Sequence, residues 1–277
     1  MVLQEYAPHA ALKEYIRTYR LVHFPFASDG EPPFKLYPPR PEHCLTFYAQ
    51  DKEKVIYQGS GTETGNLGTV LFGQQTEVTQ RFVGRQFLLI QVVFAPGALY
   101  RMTGIPSTEI TNQYIDAETV FSKSIKFVNE QINDCGSYRE MIAVVDRFLL
   151  EQLRRQARDA HGIDHAAAQV FKMGEPPTVD QLASMAFQSV RQFERSFKLR
   201  MGVSPKYYLK IFRFENAFRM KNLFPEKDWL SIALHCGYHD YQHLARDYTS
   251  LTGYTPRDFH AIGLNGPERV FGEVDTY

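Results

Sequence analysis

The sequence is short of net charge, of cysteine and of long apolar runs, and each shortage removes a class of protein. Lysine plus arginine total 31 and aspartate plus glutamate total 31, a formal net charge of zero over 277 residues. That balance excludes a polycationic chain coating nucleic acid, so any nucleic-acid surface has to be local. The three cysteines, Cys44, Cys135 and Cys236, are odd in number and far apart. They fit a reducing cytoplasm and not a disulfide framework. No uninterrupted apolar run approaches the ~18 residues a membrane span needs. Residues 1–11 lack a basic segment followed by an apolar core, so no signal peptide is expected. A Walker loop, a G-x-G-x-x-G turn after a strand and a G-x-S-x-G elbow are also missing. No catalytic residue, cofactor or metal is assigned, and a non-enzyme is expected.

What is present is a globular composition, 44% hydrophobic and 22% charged, in a chain long enough for two separate cores. Residues 15–24, 44–48, 54–57, 70–72 and 87–94 read as short strands, rich in Val, Ile, Phe and Tyr and separated by Gly or Pro clusters. The stretch 32–41, with Pro32, Pro33, Pro38, Pro39 and Pro41, reads as an extended turn. Such punctuation points to a barrel or sandwich. After Gly97 the character turns helical. Residues 117–132 are helix-like, as are residues 137–156, where Ser137 is the N-cap and Glu140 holds the capping-box position. Met141, Val144, Val145, Phe148 and Leu149 share one broad face of that helix. The polar stretch 157–165 (ARDAHGIDH) reads as a linker, giving an effector-sensing or dimerisation domain over 1–158 and a DNA-binding domain over 159–277. The expected fold class is α+β.

The second half repeats itself. Residues 181–205 (QLASMAFQSVRQFERSFKLRMGVSP) align with 232–256 (IALHCGYHDYQHLARDYTSLTGYTP) at an offset of 51. Ser189 aligns with Asp240, both good N-caps. Phe187 aligns with Tyr238, Phe193 with Leu244, Arg195 with Arg246, Phe197 with Tyr248, Gly202 with Gly253, and Ser204-Pro205 with Thr255-Pro256. In the first unit Thr178 and Gln181 form a capping box that opens a short helix. Phe187 and Gln188 make a turn, and Ser189 with Gln192 form a box that opens a second helix. Phe193 and Phe197, at i and i+4, face the core together. Gly202 ends the helix and Pro205 starts the next. Short helix, tight turn, second helix is the helix-turn-helix plan. A helix over about 205–223 joins the units.

The residues left facing outward define the expected DNA surface. They are Ser189, Arg191, Gln192, Glu194, Arg195 and Lys198 in the first unit, and Tyr241, Gln242, His243 and Arg246 in the second. Between Ser189 and Arg213 stand seven basic residues (Arg191, Arg195, Lys198, Arg200, Lys206, Lys210, Arg213) against one acid, Glu194. Lys and Arg neutralise phosphates, while Arg and Gln can pair bidentately with guanine and adenine edges. The second unit is poorer in charge, with Asp247 beside its candidates.

Residues 166–262 resemble the C-terminal DNA-binding domain of the AraC/XylS family of regulators. The resemblance is carried by SVRQFERSFKLRMGVSPKYYL and DWLSIALHCGYHDYQHLARDYTSLTGYTPRDF. It implies seven helices and contacts to two adjacent major-groove segments of double-stranded DNA by Arg191, Gln192, Glu194, Arg195, Gln242, His243 and Arg246. The second unit departs from the family's usual Phe-Ser-Arg-x-Phe-Lys: it reads Leu244-Ala245-Arg246-Asp247-Tyr248-Thr249. LKEYIRTYR, PPRPEHCLTFY and LLIQVVFAPGALYRMTGIP in the first half resemble the cupin-like sensor domains attached to such regulators. They imply a small-molecule effector, homodimerisation and, for an activator, RNA polymerase as a partner.

Other sites weigh less. His235, His239 and His243 are spaced like ligands on one helix, but Gly237 and Asp240 break it. His161 and His165 fall in the linker. One alternative is a cupin-type metal enzyme fused to a DNA-binding module, with His23, Glu42 and His43 as its only candidate ligands. Another is an orphan oligomerisation domain. Dimerisation through residues 137–156 competes with packing of the same face on its own barrel.

Overall fold

The computed structural model describes residues 2–26, 32, 34–121, 123–156, 158–173 and 176–271. Pro33 of the proline-rich turn and Ala157 of the expected linker lie outside them. The architecture is α+β, with a β-rich first domain and a helical second one.

Two antiparallel sheets build the first domain. The larger has six strands in the order β1 (Val2–Tyr6), β2 (Ile16–Pro25), β9 (Gln86–Phe94), β4 (Cys44–Tyr48), β7 (Thr69–Phe72) and β10 (Tyr114–Asp116). The smaller has the order β3 (Lys35–Tyr37), β8 (Thr79–Phe82), β5 (Lys54–Tyr57) and β6 (Glu63–Gly65). The five strands expected from apolar runs are all present. Strands β1, β3, β6, β8 and β10 were not foreseen, because they are short or mix polar with apolar residues.

Strands β4 and β9 read as nearly continuous apolar runs, interrupted inside by Thr46 and Gln91, because both faces of the large sheet are covered. On β9, Leu88, Ile90, Val92 and Phe94 enter the core under the helices, whereas Phe87, Leu89 and Val93 enter the space toward the small sheet. The helices on the outer face are α2 (Lys126–Asn133) and α3 (Tyr138–Gln156). Residues 117–132 are therefore only partly α-helical, since a 3-10 turn occupies Ala117–Thr119. Helix α3 is capped as expected, with Glu140 N–H donating to Ser137 Oγ at 3.3 Å. Its Glu140 carboxylate reaches back one residue further, to Gly136 N–H at 2.8 Å. Met141, Val144, Val145, Phe148 and Leu149 are buried in the domain's own core. Packing on its own domain thus accounts for the apolar stripe, which gives no support to a dimer there.

The second domain holds seven α-helices among the described residues: α4 (Gly162–Gln169), α5 (Val179–Met185), α6 (Val190–Met201), α7 (Pro205–Leu223), α8 (Trp229–His235), α9 (Tyr241–Thr252) and α10 (Pro256–Gly263). The first domain also contains the short α1 (Ala98–Thr103) that follows β9. Helix α4 starts inside the stretch read as linker. His161 is its N-cap, its Nδ1 accepting from Ile163 N–H at 3.2 Å, while Asp164 Oδ2 accepts from His161 N–H at 3.0 Å. That corrects the placement of His161 in a linker, although the residue remains exposed to solvent as expected. Gly162 does not break the helix but begins it.

Helix α7 is apolar on most of its circumference because it serves two cores. Tyr208, Leu209 and Phe212 pack with the first helix-turn-helix unit, and Ile211, Phe214, Ala217 and Phe218 with the second. Leu36 and Val78 of the first domain join the second of these cores.

Candidate nucleic-acid interface

The first unit is assembled by its caps. Gln181 N–H donates to Thr178 Oγ1 at 3.2 Å and Thr178 N–H to Gln181 Oε1 at 2.8 Å, a complete capping box at the start of α5. At Ser189 only half of the expected box forms. Gln192 N–H reaches Ser189 Oγ at 3.4 Å, and the Gln192 side chain stays exposed. An amide not spent on a cap is free to read a base edge. Phe193 and Phe197 are fully buried with ring centroids 5.3 Å apart, which fixes the rotation of α6. Ser189, Arg191, Gln192, Glu194, Arg195 and Lys198 all face solvent on the opposite side.

The second unit follows the same plan. Asp228 accepts from Ser231 N–H at 2.9 Å, and Asp240 accepts from His243 N–H at 2.6 Å at the start of α9. Leu244, Tyr248 and Leu251 are buried, Gln242 and Arg246 are exposed, and Tyr241 and His243 are half-buried. His243 lies edge-on to Tyr238 at 5.0 Å and parallel to His239 at 6.0 Å. All ten residues expected from the sequence thus reach the surface in full or in part.

The repeat is not a constant offset. Gln188 N–H donates to Ala183 O, and Tyr238 N–H donates to Ala233 O, both at 3.0 Å. These equivalent bonds are 50 positions apart, whereas Ser189 and Asp240 are 51 apart. The second turn therefore carries one extra residue. Phe187 corresponds to Gly237, not to Tyr238, and both hold left-handed backbone, at φ 54° and 78°. A bulky residue there is strained by roughly 1–2 kcal/mol, and the Phe187 side chain is 95% exposed, so packing returns little. Phe187→Gly is expected to stabilise the protein by about 0.5–1 kcal/mol, after the entropy glycine adds to the unfolded chain. A thermal melt that does not rise would refute this.

Counting basic residues overstates the charge offered to DNA. Arg200 is buried and held by Asp164, with Nε 2.6 Å from Oδ1. Lys210 and Arg213 each lie 3.6 Å from Asp247, and Arg213 also covers the Tyr238 ring at 5.5 Å. Arg191, Arg195, Lys198 and Lys206 are the members of the set that remain exposed. Asp247 itself is buried. It does not point at DNA beside Arg246; it turns inward and ties α9 to α7.

The first domain grips the end of α6. Ser107 Oγ donates to Arg200 O at 2.7 Å, and Thr111 Oγ1 donates to Gly202 O at 3.2 Å. Tyr207 and Tyr208 at the start of α7 donate to Thr76 O and Pro41 O, both at 3.1 Å. The exposed face of α6 is free while its C-terminal end is anchored to the other domain.

The alternative metal site does not assemble. His43 O accepts from Phe94 N–H, and His23 pairs with Leu88, so the two histidines flank β9 six residues apart. At ~3.4 Å per residue that separates them by roughly 20 Å. Glu42 is occupied by guanidinium groups, Arg20 Nη1 at 2.5 Å and Arg17 Nη2 at 2.5 Å. His23 Nδ1 lies 2.8 Å from the Tyr138 hydroxyl.

Two consecutive helix-turn-helix units on a shared central helix define a DNA-binding class of domain. Residues 182–261 match the family described as "Helix-turn-helix domain", and residues 4–116 match one described as "Domain of unknown function (DUF6597)". Over 84 residues the chain is 33% identical to the HTH-type transcriptional regulator ArgR of Pseudomonas aeruginosa. That match covers 30% of this chain and spans a quarter of the relative's length, 25%. The whole two-domain fold is similar to ToxT of Vibrio cholerae. An apo ToxT variant has a TM-score of 0.51 at 8% identity, covering 88% of this chain and 97% of that one. A ToxT structure bound to a methylnaphthalenyl butenoic acid has a TM-score of 0.50 at 8% identity, covering 88% and 98%. The C-terminal domain is a double helix-turn-helix domain of the AraC/XylS type.

Proposed function

We propose that the chain is a sequence-specific DNA-binding transcription regulator whose first domain takes a small-molecule effector. The observation that carries the DNA reading is the outward face of α6. There Arg191, Gln192 and Arg195 stand exposed on a helix whose rotation is locked by Phe193 and Phe197. The exposed arginines supply phosphate neutralisation and base readout together. In this reading the division falls at 158/159, just ahead of α4, and double-stranded DNA is the partner. RNA polymerase is a further partner if the regulator activates. Homodimerisation is left to surfaces other than the buried stripe of α3. No described helix is long and apolar enough to cross a membrane, and a cytoplasmic regulator without enzymatic activity is the form proposed. The effector part draws on the ligand-bound ToxT structure and on the cavity between the two sheets.

Arg195→Ala is expected to weaken operator binding by about 1–3 kcal/mol and to relax specificity at one position. Selection on random duplexes first supplies the operator. Affinities of both proteins are then measured on it and on a scrambled duplex, and an unchanged operator affinity would remove Arg195 from the contact set.

A further inference from the structure

The space between the two sheets is stoppered by the far end of the chain. A cavity of about 100 Å³ remains there. Its apolar wall includes Val22, Phe24, Phe87 and Leu89, and its polar wall includes Lys35 and Arg81. Pro267 and Glu268, from the turn Pro267–Phe271 that follows α10, complete the lining. The Phe271 ring stacks on Phe24 at 5.2 Å and lies 5.1 Å from Phe26. Glu268 is only 3% exposed, and one of its oxygens is 3.2 Å from Lys35 Nζ. The other, Oε2, is buried without a hydrogen-bond partner.

A surface turn gains nothing by burying a carboxylate it cannot fully satisfy, because the unpaired oxygen keeps its desolvation cost. The arrangement makes sense if the cavity is shaped for a carboxylate and Glu268 fills the position imperfectly. The other charges facing the cavity are already engaged. Arg81 pairs with Glu53 at 3.4 Å and covers Tyr37, and Arg20 is taken by Glu42 and Gln91. Size points the same way. Small-molecule sites measure roughly 300–1,000 Å³, so the remaining space is too small for a ligand while the turn is docked.

We propose that this cavity binds a small amphipathic carboxylate, and that the chain's own C-terminal turn, with Glu268 in the place of the ligand's carboxylate, is its internal competitor. The proposal rests on the effector-responsive reading and supplies its ligand class and its switch. The ligand's apolar part takes the place of Phe271 against Phe24, and its carboxylate takes Lys35. The turn follows directly on α10, whose Phe259 packs on Phe214, Phe218 and Tyr248 in the core of the second helix-turn-helix unit. Expelling the turn therefore acts on the support of α9.

The test uses sodium octanoate as probe and octan-1-ol as the uncharged control, titrated calorimetrically into the full chain, into Glu268→Gln, and into a chain ending at Gly266. An internal competitor lowers apparent affinity by the fraction of molecules in which it is open. Both variants are expected to bind octanoate at least about tenfold more tightly than the parent, with a much smaller change for octanol, and Lys35→Met in the Glu268→Gln background is expected to abolish the gain. If the shortened chain does not melt cooperatively, Glu268→Gln carries the test alone. Equal octanoate affinity in parent and variants, or no binding to any of them, overturns the proposal. Operator affinity separates the two readings. Tighter octanoate binding with no octanoate effect on DNA keeps the site and ends the effector role. An absent octanoate gain, with Arg195→Ala still weakening operator binding, ends this site and leaves the DNA-binding reading standing.

Discussion

Asp164→Ala is expected to destabilise the protein by about 3–5 kcal/mol, the usual cost of stranding one member of a buried ion pair. Asp164 does three things at once. It holds the Arg200 guanidinium at 2.6 Å, accepts from His161 N–H to cap α4, and packs so closely on Gly97 that a Cβ there would lie 1.8 Å from its Oδ1. Arg200, left alone, has the Tyr100 ring at 4.8 Å as its remaining neighbour in place of a counter-charge. The pair joins α4 to α6, so its loss loosens the helix that carries Arg191 and Arg195. Urea unfolding of three proteins measures the effect: Asp164→Ala, Arg200→Met and the double variant. The double variant is expected to recover the part of the loss that comes from the stranded guanidinium, because no uncompensated buried charge remains, and to keep the cost of the lost His161 cap. A cost below about 1 kcal/mol for Asp164→Ala, or full additivity in the double variant, would show that the pair is not the tie inferred here.

Legibility in the sequence follows from how local each signal is. The helix-turn-helix units were readable because a cap, an apolar i, i+4 pair and a terminating glycine lie within a few residues of one another. Phe193, Phe197, Gly202 and Ser204 take their expected roles. Strands β4 and β9 were readable because burial on both faces leaves a nearly continuous apolar run. What was not readable depends on partners distant in sequence. Nothing local marks Arg200 and Asp247 as buried, so both were counted by charge alone; their partners lie 36 residues away for Arg200 and on α7 for Asp247. The extra residue in the second turn was hidden by the caps, since Ser189 and Asp240 align only at the longer offset. Phe187 could have been suspected from its position between Ala186 and Gln188, where the equivalent turn has a glycine. Glu268 gave no signal, because a short polar tail reads as solvent-exposed until the cavity that receives it is seen.

Gly202→Ala is expected to cost about 2–4 kcal/mol, against about 1 kcal/mol for Gly253→Ala. The comparison is controlled by the repeat itself. Both glycines end a recognition helix in left-handed backbone, at φ 86° and 78°, so the conformational penalty is shared. Their surroundings differ. A Cβ on Gly253 meets nothing within 4 Å, whereas one on Gly202 would lie 2.6 Å from Thr111 Oγ1 and 3.0 Å from Ser107 O. Those two residues also hold the carbonyls of Gly202 and Arg200 through their hydroxyls. The added methyl has to push the first domain off the end of α6. Gly202→Ala should therefore speed amide hydrogen exchange across residues 107–111 as well as 200–203, while Gly253→Ala should leave the first of these segments protected. Equal destabilisation by both substitutions, with no change at 107–111, would show that the contact is incidental. The expected inequality would place the route between sensor and reader at one helix end. The first domain holds the C-terminal end of α6, and the exposed residues proposed to face DNA cluster toward its N-terminal end.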